Sequence, residues 1–409
     1  MKTERANKRI LIFVCLILFL DAVGFGLILP VLPALITELS DMPNSEAAKV
    51  AGYLLFTFAA MQFFFAPILG GLSDRFGRRP VLLIALFGYG IDFLVMAASQ
   101  SLLWLFIARI ISGFFGATYS AGNAALVDIS SKEDRAKYFG FGGAAVGLGF
   151  IFGPAIGGLL GEYGTRIPFI VAGCLALATV AAGIFLLPES LKPENRRAFS
   201  WTRANPVGSI VQIARYPVVL IFLGSIFFMQ MANHSYSSIW AFFTIEVANW
   251  SELAIGLSVA FYGALLAIIQ GAGTGPAVKR LGESRVAIVS ILVGLVTFIG
   301  LANVTTGPQI YFWIFIGGFA GCGFPAIQAL MTHYTPEDAQ GELQGAIASA
   351  YSLTAIIGPL IMSQLFGNFS DQTGFYFPGA PFYGAAVLIL LCLAVFAAGA
   401  RRLPHTPLR

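Results

Sequence analysis

The chain has 409 residues, of which 57% are hydrophobic and 11% carry a formal charge, against about 45–50% and about 25% in a soluble domain. With a mean hydropathy of +0.82, this composition excludes disorder, nucleic-acid binding and an ordinary soluble enzyme. The net charge of +4 is too small to specify an acidic partner.

A membrane span needs about 20 apolar residues, and long apolar runs are read along the chain on that scale. Spans 1 to 6 are predicted at 10–37, 50–72, 80–98, 102–127, 138–161 and 167–187. Spans 7 to 12 follow at 217–245, 254–277, 285–303, 308–332, 342–366 and 381–400. Span 1 follows a basic stretch (Lys2, Arg5, Lys8, Arg9) that mimics a signal peptide. It is too long for a signal h-region and contains Asp21, so a retained helix is expected. Cys15, Cys174, Cys322 and Cys392 lie far apart within apolar runs, which excludes disulfide and metal readings.

The N-terminal tail, the even-numbered connections and the C-terminal tail hold 21 of the 24 Lys and Arg residues. The odd-numbered connections hold only Lys49 and Arg166, and Arg109 lies inside span 4. The positive-inside rule then places both termini in the cytoplasm.

The charged, Pro-containing stretch 188–216 divides the spans six and six. Across it, Gly70-x-x-x-Asp74-Arg75-x-Gly77 returns as Gly275-x-x-x-Lys279-Arg280-x-Gly282, an offset of 205. Gly153-Pro154 returns as Gly358-Pro359, and Gly140 as Gly345, at the same offset. The pairs Glu133-Asp134 and Glu337-Asp338 differ by 204, a one-residue indel. Matches in loops and spans at one offset imply an internal repeat. The expected fold is all-α integral membrane, twelve helices in two pseudo-symmetric six-helix halves, 1–187 and 217–409, joined by a cytoplasmic linker at 188–216. Parallel halves of this kind place a substrate site near the midplane, where the halves rock against each other.

The loop Gly70 to Pro80 (GGLSDRFGRRP) resembles the signature loop of the major facilitator superfamily. Leu20 to Pro30 (LDAVGFGLILP) resembles the first-helix motif of its drug:proton antiporters. Arg109-x-x-Ser112-Gly113-x-x-Gly116-Ala117 is similar to their fourth-helix motif, with Ser where Gln is usual. Gly149-x-x-x-Gly153-Pro154-x-x-Gly157-Gly158 resembles their fifth-helix motif. Ala329 to Ser349 (ALMTHYTPEDAQGELQGAIAS) resembles the tetracycline-efflux branch. One departure is that members of that branch can carry an acidic residue in the ninth span, and 285–303 has none.

The resemblance implies a proton-coupled antiporter that exports tetracycline-like or other hydrophobic or amphipathic compounds by alternating access. It implies a multi-pass protein of the cell (inner or plasma) membrane, and it makes Gly70, Asp74, Arg75, Gly77, Arg78 and Arg79 a gating loop. Partners are then a small-molecule substrate and membrane lipids, with no nucleic acid; a cavity formed within one chain makes a monomer the default. No cofactor is expected beyond the proton as coupling ion. The alternative keeps the fold and moves a polar solute such as a sugar, independently of protons, with the charges as gates. An intramembrane enzyme finds no support: there is no H-E-x-x-H, P-loop or G-x-S-x-G, and Gly88-Tyr89-Gly90-Ile91-Asp92 has the wrong spacing for the G-x-G-D proteases.

Charges inside spans are few, and each costs about 2.5–3.5 kcal/mol at a helix centre on insertion scales. Asp21, near the middle of span 1, is either a proton carrier or one half of a permanent pair. Asp92 and Arg109 flank the turn Ser99–Ser101. Measured from Gln100 they lie about 12 and about 13.5 Å deep at helical rise, so a static ion pair fits. The other reading has Arg109 choosing between Asp92 and Asp21, and the resemblance favours it because the family arginine is linked to proton coupling. At the 205 offset these three map to Ile226, Thr297 and Ile314, so proton machinery is expected in the first half alone. The second half offers Gln230, Asn233 and His234 in span 7, with Gln230 and His234 on one helix face. His234 is a candidate substrate ligand or second proton site, or a neutral interhelical partner. Gln62, Asn123 and Gln328 are further cavity candidates.

Asp74 is expected to face the positive N-terminal end of a helix such as span 11. The three arginines of its loop also serve as topology determinants and lipid contacts. Pro154 and Pro359, among glycines, let spans 5 and 11 bend and pack closely, either as structural bends or as a leak-proof antiporter hinge. The aromatic content fits a pocket for a planar amphipathic compound and lipid-facing or interfacial packing equally well, and most of the rings are expected to be structural.

Overall fold

The computed structural model describes residues 2–116, 118–131, 134–199, 215–336, 339–371 and 374–402. Among them the structure is all-helical, and twelve helices are long and apolar enough to cross a membrane. Spans 1 to 6 are Ala6–Ser40, Asn44–Phe76, Arg78–Ala98, Leu102–Ile129, Lys137–Gly161 and Ile167–Leu186. Spans 7 to 12 are Pro217–Ala248, Glu252–Leu281, Glu283–Ala302, Gly307–His333, Gln340–Phe369 and Ala380–Ala400. Each matches a predicted run to within four residues at either end, except that span 2 starts six residues early.

The helices overrun the apolar stretches where polar residues continue the turn. Span 2 starts at Asn44 rather than residue 50, with Glu46 in its first turn and paired to Lys49 at 2.8 Å. Three spans are interrupted. Span 4 is two helices, Leu102–Phe114 and Thr118–Ile129. Span 8 carries a π-turn at Ile269–Gly273 and span 10 a 3₁₀ turn at Phe319–Cys322. Irregular backbone at membrane depth survives where protein groups satisfy it. The Gln62 amide donates to Gly116 O at 3.1 Å, and the Gln270 amide donates to Gly321 O at 3.1 Å.

The chain divides into two compact units. One comprises Met1–Asp41, Thr57–Asn205 and Ser251–Ala260; the other comprises Met42–Phe56, Pro206–Trp250 and Phe261–Arg409. The first turns of span 2, through Phe56, thus belong with spans 7 and 11. There Asn44 donates to Phe242 O and to Glu246 at 2.9 Å each, and Gly52 lies against the Ser363 side chain and the Pro359 carbonyl. The first turns of span 8 belong in the first unit, with Gly256 against the Pro154 backbone and Gly158 against Glu252.

In the first unit, Ile10, Phe13, Val14, Ile17 and Leu18 of span 1 build the core with residues of spans 2, 3, 4 and 6. In the second unit Tyr236 stacks on Tyr262 at 5.3 Å, and Phe243 meets Phe382 edge-on at 4.7 Å.

Candidate functional site

Within the first unit, Asp92 and Arg109 meet across the span 3–4 hairpin. Asp92 is fully buried and Arg109 nearly so. Arg109 Nη2 donates to Asp92 Oδ1 at 2.8 Å and Oδ2 at 2.6 Å, and lies 2.7 Å from Met96 Sδ. The guanidinium sits over the Phe58 ring at 5.9 Å, a cation–π contact. Arg109 Nε is buried with no hydrogen-bond partner among the described residues. The equal depths read from the sequence therefore correspond to a real pair.

Asp21 is partly buried on span 1. Its carboxylate takes a hydrogen bond from the Thr118 side chain of span 4, and among the described residues Arg109 is ion-paired with Asp92 alone. Tyr89, one turn before Asp92, donates its hydroxyl to the Asp21 main-chain carbonyl at 2.8 Å. Sequence reasoning passed over Thr118 and Tyr89, since a lone hydroxyl in an apolar span carries no spacing signal.

The loop between spans 2 and 3 is knit by Arg78. Its Nη1 donates to Asp74 Oδ1 at 2.5 Å and to Ser73 Oγ at 2.6 Å, while Nε donates to Asp128 Oδ2 at 3.1 Å. The Glu189 carboxylate, just past span 6, accepts the Arg78 amide at 2.8 Å and the Arg79 amide at 3.2 Å. These are free donors at the start of span 3, where a carboxylate is electrostatically favoured. Ser190 Oγ donates to Asp128 at 3.1 Å, and the Arg197 amide donates to Asp74 O at 3.0 Å. Gly77, at φ 108°, makes the turn, Gly71 carries the Phe199 ring, and Gly70 faces Ser120. Arg75 lies over Phe76 at 5.0 Å, and Arg79 donates to Ile184 O.

The first residues of the linker, 188–199, are therefore folded onto this loop. Asp128 and Glu189 are neighbours of this loop that sequence reasoning missed. The signal available was two carboxylates at span ends otherwise rich in Lys and Arg. Residues 200–214 of the linker, and Ala117, Lys132, Glu133, Glu337 and Asp338 from the motifs, lie outside the described residues.

The fifth-span motif is a packing device. A Cβ at Gly149 would lie 2.5 Å from Ala22 Cβ, one at Gly153 2.5 Å from Val23 O, and one at Gly157 2.8 Å from Leu27 Cα. Small residues four apart let spans 1 and 5 approach at backbone distance. Pro154 lies within span 5, its ring filling the space above Gly26. This seam holds the span 1 segment that carries Asp21.

In the second unit, Asn233 Nδ2 donates to Gln230 Oε1 at 3.2 Å, and His234 Nδ1 lies 3.2 Å from Ser237 Oγ. The imidazole packs on Gly358, where a Cβ would be 2.6 Å from His234 Cδ2. Gln328 donates to Gln344 at 3.1 Å, and in the first unit Asn123 is partly buried on span 4. Among the described residues no cluster of His, Cys, Asp and Glu could hold a metal ion.

The model of the Major Facilitator Superfamily matches residues 14–274 and 227–408 of this chain. The tetracycline resistance protein, class C, of Escherichia coli is 39% identical over 93% of this chain and 94% of that protein. The class B protein of Escherichia coli is 34% identical over 86% of this chain and 87% of that protein. Among solved structures, a bacterial homologue of the human lysosomal transporter Spinster superposes with a TM-score of 0.79 at 13% identity, covering 97% of each chain. That last likeness is one of fold. The family and the twelve apolar helices identify a multi-pass membrane transporter of small molecules, not an enzyme. The chain belongs to the Major Facilitator Superfamily, among the relatives of the tetracycline resistance proteins.

Proposed function

We propose that this protein is a proton-coupled antiporter that exports tetracycline-like or other hydrophobic or amphipathic compounds by alternating access. The observation that carries the reading is the set of ionisable groups inside the first unit: the buried Asp92–Arg109 pair, and Asp21 on span 1, whose main-chain carbonyl is held by Tyr89 one turn before Asp92. An apolar span keeps such groups only where they are paired or used, and Asp21 has no cation of its own among the ion pairs of the described residues. Its carboxylate can gain and lose a proton without breaking the Asp92–Arg109 pair.

The relationship to the tetracycline resistance proteins supplies the substrate class. In this reading both termini are cytoplasmic, the two halves 1–187 and 217–409 are joined by the linker 188–216, and a monomer works within the cell membrane in contact with its lipids. No cofactor takes part beyond the proton.

The test is proton release from liposomes of the purified protein, acidified inside, on adding tetracycline. Release by the wild type that Asp21→Asn abolishes is expected. No proton movement from inserted wild type would overturn the antiport reading and leave the polar-solute alternative.

A further inference from the structure

The Tyr89 phenol does more than fill space. Its hydroxyl donates to the main-chain carbonyl of Asp21 at 2.8 Å, and the Phe25 main-chain N–H faces the phenol oxygen. Asp21 C=O and Phe25 N–H are the two ends of one i to i+4 rung of span 1. A side chain from span 3 therefore reaches into the helical ladder at the turn that carries Asp21, a type of insertion that bends or fixes a helix locally.

The seat is built for it. Gly24 faces the phenol and the next ring, and a Cβ there would lie 2.8 Å from Tyr89 Oη and 2.7 Å from Phe93 Cζ. Tyr89 and Phe93 meet edge-on at 4.8 Å, and Phe93 continues to Phe169 of span 6 at 6.4 Å. Three residues after Tyr89 comes Asp92, bonded to Arg109. The charged groups facing the phenol are thus Asp21 from span 1, Asp92 from its own span and Arg109 from span 4.

We propose that Tyr89 is a positioning residue for proton exchange, its hydroxyl fixing the Asp21 turn of span 1 against the Asp92 turn of span 3. This deepens the antiport reading and rests on it. A change in protonation at Asp21 is then transmitted through one turn of helix and one phenol to the Asp92–Arg109 pair, rather than dissipated in a loose helix.

The experiment uses the full chain in liposomes and reads tetracycline-driven proton release across a pH series. Wild type, Tyr89→Phe, Phe93→Leu and Asp21→Asn are compared, with thermal unfolding of each. Tyr89→Phe is expected to lower the rate roughly three- to tenfold, the worth of one neutral hydrogen bond. It also moves the pH of half-maximal release, with the KM for tetracycline and the Tm unchanged. Phe93→Leu lowers Tm and leaves the pH profile in place.

A Tyr89→Phe profile that matches wild type overturns the role of the hydroxyl while antiport stands. Equal shifts in Tyr89→Phe and Phe93→Leu also overturn it, since packing alone would then explain both. If wild type releases no protons, the antiport reading fails and takes this one with it. Should Tyr89→Phe not insert, Gly24→Ala displaces the phenol from a folded chain, and an unshifted profile there overturns the proposal equally.

Discussion

Arg109 commits one nitrogen, Nη2, to both carboxylate oxygens of Asp92, at 2.8 and 2.6 Å, and leaves its buried Nε without a partner among the described residues. A guanidinium suits a buried ion pair and carries donors beyond those that Asp92 takes, so the pair fits a static tie and a switching arginine alike.

Arg109→Lys retains one charged donor for Asp92 and removes the others. The expected outcome is a folded protein that has lost substrate-driven proton release. Arg109→Ala is expected to lose folding as well, because an uncompensated buried carboxylate costs about 3–5 kcal/mol. Thermal unfolding and proton release, measured together, check both. Full transport in Arg109→Lys would reduce the pair to a structural one.

Gly77 and Gly282 occupy corresponding turns after spans 2 and 8, at φ 108° and φ 78°. With ψ at 159° and 156°, both lie in an extended positive-φ region that is essentially restricted to glycine, where an alanine is strained by about 1–3 kcal/mol. The surroundings differ. A Cβ at Gly77 would lie 2.7 Å from Glu189 Cδ, whereas Gly282 has nothing within 4 Å. Gly77→Ala is therefore expected to lower Tm more than Gly282→Ala, and to speed proteolysis of the 188–199 segment by displacing Glu189 from the span 3 amides. Equal losses would show that Glu189 does not anchor the linker.

The twelve spans were legible because a membrane span needs a long apolar run and nothing else in the chain supplies one. Their ends were less so, since Asn44 or Glu252 can start a helix without being apolar. The Asp92–Arg109 contact could be read because a tight hairpin converts equal distance from Gln100 into equal depth. Tyr89, Thr118 and Glu189 were beyond that reasoning. Each acts on a main-chain or carboxylate group of a distant span, and no periodicity in its own segment announces the partner. Gln62 was legible as a polar residue in a span, but its partner Gly116 O exists only because span 4 breaks there.

Tyr376 lies between spans 11 and 12 and donates to Glu246 at 3.0 Å. Burial and the Glu246 carboxylate push its phenol up to about 12, from about 10 in an unfolded chain. The folded state therefore keeps a proton that the unfolded state releases. This stabilisation is full below about pH 10 and is lost as pH rises towards about 12. Tyr376→Phe should flatten the alkaline decline of Tm in that window. An identical decline in the variant would assign it to other groups.

Gln62 and Gln270 share one task in the two units, each donating at 3.1 Å to the carbonyl of a glycine where the facing span is interrupted. Gly116 and Gly321 stand at the repeat offset of 205. The two glutamines are not at that offset, so the repeat preserves the orphan carbonyl and reaches it from different turns. This bears on Gln62 as a substrate ligand, because its amide is already engaged in holding span 4. A carbonyl left unsatisfied at membrane depth costs about 1–3 kcal/mol. Gln62→Leu is thus expected to lower Tm while leaving the Kd for tetracycline unchanged in the folded fraction, read by equilibrium binding to detergent-purified protein. Gln270 is exposed, and Gln270→Leu should cost less. A Gln62→Leu protein with wild-type Tm and a raised Kd would return Gln62 to the substrate cavity.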